Sequence, residues 1–512
     1  MPREGLLIKE PLTRLTADQI SQVHNTSVAI MQDPGFICFN RRAAEIFKKH
    51  GAEVSEVEGS ANPTWTIRIP EKLVDEALAA APKTVTLGAR NPDNALVMNG
   101  DEPKVNWITG SETNTWLEMD MAEYASKKDP SKVIKVPEFS PRRATVADLC
   151  SSAHVCEHLD MVDGYIRTVN IQDSDITEDN KDVNKYFASL NNITKHVMAG
   201  LTSLSQLDNV VHMAELIVGG PEELKKNPII SFITCLVKSP LQFVDDTTET
   251  YIELCRRGLP VVVSSSPQAG SSAPMKEAGI IAQINAEVLA GLVLGQLVNP
   301  GTPVIYGSVP VRARMDTLGD SYGSVETAQY NVDCAQLARF YHLPNYSTSG
   351  VCDPKTPGQQ STVERLFSDI LVTLSGPQFL HCAFGLLDCN SVFSLDQVVL
   401  DDAHFRMIKH FLREPKVNET ELATILKQVR DTIATPQKMF ISYIRSVMRS
   451  GEISGPYPFE SEDGDHVLAL AHEKTLELLA KPVEHIDEAT TRKIFEKIPG
   501  LLPRLNVYQE VH

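Results

Sequence analysis

The chain has 512 residues, 42% of them hydrophobic and 22% charged, enough for one large core with additions or for two to three domains. Its 66 acidic and 48 basic side chains give a formal net charge of −18 at pH 7, and its basic residues never run beyond pairs such as Lys48-Lys49 and Arg256-Arg257. That balance lacks the basic face a polyanion needs, so no nucleic-acid partner is expected.

In chain order, the opening residues carry no apolar core of signal-peptide length, and export is not expected. Thr16-Ala-Asp-Gln opens an amphipathic run ending near Gln32, and residues 41–50 form a second helix before Gly51. Short strands over 64–69 and 85–87 flank a helix over 72–81, so residues 1–83 are read as an N-terminal cap of helices and small strands. From about residue 84, β-rich runs alternate with helical ones. The expected strands are 105–108, 162–169, 196–199, 229–235, 260–264, 303–306, 345–347 and 379–384, separated by helices such as 248–257, 280–297, 325–341 and 362–374. This alternation signals parallel β/α construction, and eight strands are the number that closes a TIM (β/α)8 barrel, read here over residues 84–400. An open doubly wound sheet is the alternative; no G-x-G-x-x-G follows a strand to support a dinucleotide-binding form of it. The longest apolar stretch, 286–298, is broken by Glu287 and Gln296 and is too short to cross a bilayer. Beyond residue 401, helices over 404–412, 419–432, 437–448 and 466–479 predict a C-terminal helical region, 401–512, packed on the barrel, with an exposed loop over 452–465. Nine scattered cysteines without C-x-x-C spacing favour reduced thiols in a cytoplasm over disulfides or a structural zinc.

In such a barrel the chemistry sits just after the strands. That rule selects Trp107, Glu112 and Trp116, then Asn170 and Asp173, His196, Lys238, residues 264–272, Tyr306 with Arg312 and Arg314, the stretch 343–355, and finally His381, Phe384 and Asp388. Trp107, Trp116 and Phe384 offer rings for a cationic ligand, with core packing as the rival reading. Arg312 or Arg314 suits a carboxylate. Residues 264–272 suit either an anion or a helix N-cap, and His196 and His381, inside apolar strands, are either site groups or satisfied core histidines. His154 and His158 stand four apart on one helix face without the H-E-x-x-H arrangement, so no metal is expected. Neither a G-x-S-x-G elbow nor a Walker loop is present.

Several spaced runs, in order, carry a resemblance: Ala286-Glu-Val-Leu-Ala-Gly-Leu-Val-Leu-Gly-Gln-Leu, Asn299-Pro-Gly-Thr-Pro-Val-Ile-Tyr-Gly-Ser, Leu337-Ala-Arg-Phe-Tyr-His-Leu-Pro, Phe393-Ser-Leu-Asp-Gln and Ala471-His-Glu-Lys. Over nearly its whole length the chain resembles the trimethylamine methyltransferase family. The resemblance implies a TIM barrel and transfer of a methyl group from a methylamine to the cobalt of a separate small corrinoid protein. In the archaeal enzymes the loop Tyr-x-x-x-x-pyrrolysine-x-Asp-x-Lys carries pyrrolysine; here the matching position is Val351, within Tyr346-Ser-Thr-Ser-Gly-Val-Cys-Asp-Pro-Lys. Valine cannot activate a tertiary amine. A quaternary amine needs less help, since its positive charge already makes a neutral tertiary amine the leaving group, and the pyrrolysine-lacking members that are understood act on betaines and carnitine. The implied function is methyl transfer from a quaternary amine, foremost glycine betaine giving dimethylglycine, to the Co(I) of a corrinoid protein, within methanogenesis or acetogenesis-type one-carbon metabolism.

Carnitine, proline betaine and γ-butyrobetaine are the alternative substrates. A non-catalytic quaternary-amine-binding barrel and a metal-dependent barrel hydrolase are the alternatives of other classes. No cofactor is expected to be held tightly, the corrinoid (cobalamin) coming with the partner protein, and the chain is expected to form a homo-oligomer. The residues expected to bind substrate are Trp107, Tyr306, Arg312, Val351, His381 and Phe384, with no catalytic group assigned.

Overall fold

A computed structural model describes residues 5–125, 133–460 and 466–508. The middle of the chain is a series of eight short strands: β1 (Lys104–Trp107), β2 (Gly164–Ile166), β3 (His196–Ala199), β4 (Ile230–Thr234), β5 (Val261–Ser265), β6 (Val304–Ser308), β7 (Asn345–Thr348) and β8 (Phe379–His381). Each leads to a helix: α1 (Val146–Glu157), α2 (Lys181–Asn192), α3 (Leu207–Val218), α4 (Asp245–Arg256), α5 (Glu277–Val298), α6 (Val325–Phe340), α7 (Gln359–Ser375) and α8 (Leu395–Phe411). All eight strands fall where the alternation of the sequence puts them. β2 to β8 pair in order and in parallel, and β8 pairs in parallel with β1 through Phe379↔Asn106 and Leu380↔Trp107. Leu6–Leu7 adds a ninth strand, antiparallel on β1. The sheet curls, and a parallel bridge between Ile108, just past β1, and Gly164 in β2 brings the two ends of the strand order together.

Alternation along these strands sorts their side chains between two faces. On the inner face Ile108, Ile166, Met198, Val262, Ile305, Tyr346 and Phe379 form one apolar cluster, capped by Val85, Leu87, Leu96 and Met98 from a hairpin of Thr84–Leu87 and Leu96–Asn99. The hairpin plugs the end where the strands begin. His196 belongs to this floor. Its Nδ1–H donates to the Gly88 carbonyl at 2.6 Å and its Nε2 accepts from Ser231 at 2.6 Å, and burial lowers its pKa to about 4. It is a satisfied core histidine.

The outer face packs on the helices. α5 is apolar all round, as a fully buried helix should be, and its polar residues are buried for a reason. Glu287 accepts hydrogen bonds from Ser239 (2.6 Å), the Leu241 N–H (3.1 Å) and Gln283 (3.0 Å), tying the loop after β4 to the helix, while Gln296 donates to the Thr302 carbonyl at 3.0 Å. The apolar run 286–298 is therefore the second half of a 22-residue helix, the one helix among the described residues long and apolar enough to cross a membrane; 89% of its apolar window is buried in the protein.

Ahead of the strand series, helices Ala17–Gln32, Arg41–Lys49 and Glu71–Ala80 pack with a five-stranded sheet that borrows Val237–Lys238 and Gln242–Phe243 from the loop after β4. Thr16 and Gln19 close a capping box on the first helix. After the series, Val467–Leu479 packs on α8 and Glu488–Lys497 on α3. The expected loop 452–465 runs past residue 460 outside the described residues. One element has no counterpart in the sequence reading: between β1 and α1 the chain forms a hairpin of Thr115–Ala125 and Val133–Arg143, whose base pairs with Val392–Phe393.

Candidate active site

Past the apolar floor, where the eight strands end, the inner face opens into a cavity of about 370 Å³. Residues from every strand end reach it, including Ser111 and Glu112 after β1, Ile166 and Arg167 at β2, Thr234 and Cys235 at β4, Ser264 and Ser266 at β5, Val309 after β6, Tyr346 in β7 and His381 and Cys382 at β8. Its size falls within the roughly 300–1,000 Å³ of small-molecule sites.

The charged groups of the cavity form a chain. Arg167 donates from Nη2 to Glu112 at 2.7 Å; Lys185 of α2 lies 3.7 Å from the same carboxylate and 2.9 Å from Asp182, which accepts the backbone N–H groups of Thr202 and Ser203. Burial alone would raise the Glu112 pKa, but the cations around it, Arg167 first, then Lys185 and Lys181, outweigh it and hold the carboxyl at about 2. Arg167 remains a cation, and its Nε is buried without a hydrogen-bond partner. An unsatisfied buried guanidinium donor beside a cavity is a place where a ligand acceptor gains most.

Aromatic rings supply much of the remaining wall. Tyr346 stacks on His381 with centroids 4.0 Å apart, and Tyr322 adds a third ring. His381 donates from Nδ1 to the Ser347 carbonyl at 2.9 Å, and burial lowers its pKa to about 3, so the ring is neutral at physiological pH. Burial likewise raises the thiols of Cys235 and Cys382 and the phenols of Tyr322 and Tyr346 above their ordinary values. At neutral pH the cavity holds neutral rings, hydroxyls and thiols around one ion pair. It offers positioning and charge complementarity, with no group poised for proton transfer.

Of the six residues expected to bind substrate, His381 lines this cavity. Trp107 points to the outer face, where its indole N–H donates to Thr373 at 3.1 Å and its ring packs on Phe405. Phe384 packs on the same Phe405, with ring centroids 5.1 Å apart. Tyr306 is buried against α5, donating its hydroxyl to Asn285 at 2.9 Å. Arg312 lies on a short strand, Val311–Ala313, paired with Glu326 at 3.2 Å. Val351 is 2% exposed within the main apolar core. Arg167, Tyr346, Tyr322 and Cys235 take the places in the cavity. The serines over 264–272 divide: Ser264 lines the cavity, Ser272 accepts from the Gln268 N–H at 2.9 Å, and α5 starts only after Lys276, which makes no side-chain cap.

The loop that holds Val351 is set by its neighbours. Gly350 has φ +74° and lies so close to β8 that a Cβ would stand 2.9 Å from the Cys382 carbonyl oxygen, so only glycine fits. Ser349 donates to Asp369 of α7 at 2.6 Å. Burial, opposed by Arg365, raises the Asp369 pKa to about 8, well above the carboxylate's ordinary 3.8. The native state therefore holds a proton that the unfolded chain has released, and this contribution to stability is present at low pH and lost as pH rises toward 8, by roughly 1.4 kcal/mol per unit for one proton. Asp369→Asn removes the proton. Relative to the wild type, the variant is expected to gain stability steadily between pH 5.5 and 8 in urea unfolding; a pH-independent difference would show that Asp369 is ionised in the folded chain.

His154 and His158 stand at the end of α1 with ring centroids 5.4 Å apart. Among the described residues no three His, Cys, Asp or Glu side chains are grouped to hold a metal.

Comparison with known proteins places the chain. The family model described as trimethylamine methyltransferase (MTTB) matches residues 7–434. The chain belongs to the trimethylamine methyltransferase family. It is 29% identical to trimethylamine methyltransferase MttB of Desulfitobacterium hafniense (strain DSM 10664 / DCB-2) over 82% of this chain and 79% of that protein. It is 28% identical to glycine betaine methyltransferase of Desulfitobacterium hafniense (strain Y51), over 80% and 79%. To trimethylamine methyltransferase MttB1 of Methanosarcina mazei it is 30% identical over 92% of both chains. Like these members of the trimethylamine methyltransferase family, it is a methyltransferase.

Proposed function

We propose that this methyltransferase takes a methyl group from a carboxylate-bearing quaternary amine, foremost glycine betaine, and passes it to the Co(I) of a separate corrinoid protein. The observation that carries the reading is Arg167: a guanidinium in the cavity, fixed by Glu112, with Nε left without a partner. A carboxylate accepting from that nitrogen would set the onium toward the rings of Tyr346, Tyr322 and His381, where each ring face is worth roughly 0.5–2 kcal/mol to a cation. Because His381 is neutral, it does not repel the onium.

The supporting framework is a closed (β/α)8 barrel over residues 84–400, favoured by the Ile108–Gly164 bridge, with regions 1–83 and 401–512 packed around it. In the transfer the N–CH3 bond breaks, its electron pair stays on nitrogen to give the neutral tertiary amine, and the methyl group moves in line to the cobalt of the acceptor. This chain supplies orientation and exclusion of water rather than a proton. Valine at position 351 supports a quaternary over a tertiary amine, and free cysteines support a cytoplasmic setting.

The test is a panel of glycine betaine, carnitine, proline betaine, γ-butyrobetaine, choline and trimethylamine offered with a Co(I) corrinoid protein, read as methyl-cobalt absorbance. Turnover is expected to be fastest with the carboxylate-bearing quaternary amines, slow with choline and absent with trimethylamine. Turnover of trimethylamine with none of the betaines would overturn the reading, and tight betaine binding without methyl transfer would favour a binding role.

A further inference from the structure

Helices Glu419–Ile433 and Ile441–Ser450 lie apart from the packing that holds the rest of the chain. In the first only Thr432 is buried. Leu422, Ile425 and Ile433 on it, and Ile441, Ile444 and Met448 on the second, stand exposed. Single exposed apolar side chains are ordinary, but such a set on two successive helices marks a surface that binds something. At 15 and 10 residues, moreover, these helices are at or below the length that holds alone in water, so their folding depends on cover.

A second uncovered face lies on α7. Val363, Phe367 and Ile370 recur at i, i+4 and i+7 and are 67%, 41% and 39% exposed. The arm leaves the body beside this helix. Glu414, just ahead of it, pairs with Lys9 at 2.7 Å, and the neighbouring Leu12 N–H donates to the Leu374 carbonyl at the end of α7 at 2.8 Å. Yet the arm does not cover the α7 face of its own chain, which stays exposed with both arm helices formed.

Charge distinguishes the arm from the rest of the chain as well. Residues 416–450 carry six basic and three acidic side chains, a net +3 in a chain of −18, so the rest carries −21. Two such chains repel at long range; a basic arm laid on the partner's acidic body offsets that repulsion where they touch.

We propose that the helix pair 419–450 of one copy lies across the α7 face of a second copy, in a two-fold arm-exchanged dimer. The cover has to be present whenever the chain is folded, and a second copy is always present at the chain's own concentration, whereas an acceptor protein that comes and goes leaves the arm bare. The two-fold uses the arm-to-α7 contact twice and leaves neither face open.

Sedimentation velocity of the full chain is expected to give a dimer at micromolar concentration. Two variants break the contact from opposite sides: Ile425→Glu with Ile444→Glu in the arm, and Val363→Glu with Phe367→Glu on α7. Each is expected to sediment as a monomer with unchanged far-ultraviolet circular dichroism outside the arm's contribution. Mixed together, they restore one of the two contacts and are expected to return a heterodimer. A monomeric wild type, a dimer that survives both variants, or a wild type that is monomeric and floats with phosphatidylserine vesicles, meaning the basic apolar arm meets a lipid surface, would each overturn the proposal. If a variant loses its circular dichroism signal, an inter-chain disulfide between Ile425→Cys in one chain and Phe367→Cys in the other replaces it; no cross-link between chains then counts against the dimer.

Discussion

Arg167→Met is expected to lower kcat/KM for glycine betaine on the order of 100-fold or more, while turnover of tetramethylammonium, which has no carboxylate, changes little. Arg167 lines the cavity, donates to Glu112 with one nitrogen and keeps Nε buried without a partner. Truncating one partner of a buried charged hydrogen bond costs about 2–5 kcal/mol, and every 1.4 kcal/mol is tenfold. A carboxylate-bearing substrate loses that contact; a substrate without one never makes it. The substitution has a second consequence, because Glu112 keeps only cations that make it no hydrogen bond, Lys185 at 3.7 Å and Lys181, and a buried carboxylate with distant cations alone destabilises the folded chain. The double variant Arg167→Met/Glu112→Gln removes both charges and separates the effects: stability is expected to recover while betaine turnover stays low. The checks are initial rates on the two substrates and urea unfolding of both variants. An equal fall for betaine and tetramethylammonium would show that Arg167 shapes the cavity without reading the carboxylate.

Much of the strand series was legible because parallel strands covered on both faces are written as short apolar runs, such as Val261-Val-Val and Val304-Ile-Tyr, while strands like Asn345-Tyr-Ser-Thr were placed by the regular alternation with helical segments. The inward side of each strand was also written, in the alternation. Ile305 faces in, so Tyr306 faces out; Phe379 and His381 share the inner face; Ile233 and Cys235 follow the same step. Selecting rim residues by their place after a strand, without counting this parity, chose Trp107 and Tyr306, which pack outward, passed over Cys235, and took in Tyr346 only as part of the stretch 343–355, with Val351 singled out from it. Arg167 was hidden differently. A lone arginine at the end of an apolar run has no pattern of its own, and its meaning comes from Glu112, 55 positions earlier, and from Lys185 behind it. The hairpin of Thr115–Ala125 and Val133–Arg143 was missed although Leu117-Glu-Met-Asp-Met121 alternates apolar and acidic residues as a half-buried strand does; its partner strand carries Pro137 and Pro141, which read against a strand, and lies outside the β/α alternation that organised the reading.

The largest effect on stability is expected from Arg365→Met, at about 3–5 kcal/mol. Arg365 is fully buried. Its guanidinium grips Asp401 of α8 with two nitrogens and donates to the carbonyls of Ala383 and Leu386. Methionine fills the space of the stem but leaves the Asp401 carboxylate with only the Gly385 N–H and the Gln397 amide, both at 2.8 Å, and no counter-charge. That uncompensated charge, more than the lost hydrogen bonds, sets the size of the effect. In Arg365→Met/Asp401→Leu no charge is left, and most of the loss is expected to return in urea unfolding. Activity is expected not to return with it. Ala383 and Leu386 belong to the loop that follows His381, where Cys382 takes a φ of +61° and Gly385 one of +78°. A non-glycine residue in that region costs of order 1–3 kcal/mol and persists because its surroundings hold it. The Arg365 contacts to two carbonyls are such a hold. The double variant should therefore fold with near wild-type stability and still bind betaine weakly, seen as a raised KM with kcat less affected. A double variant with wild-type KM would mean that the loop at β8 keeps its shape unaided.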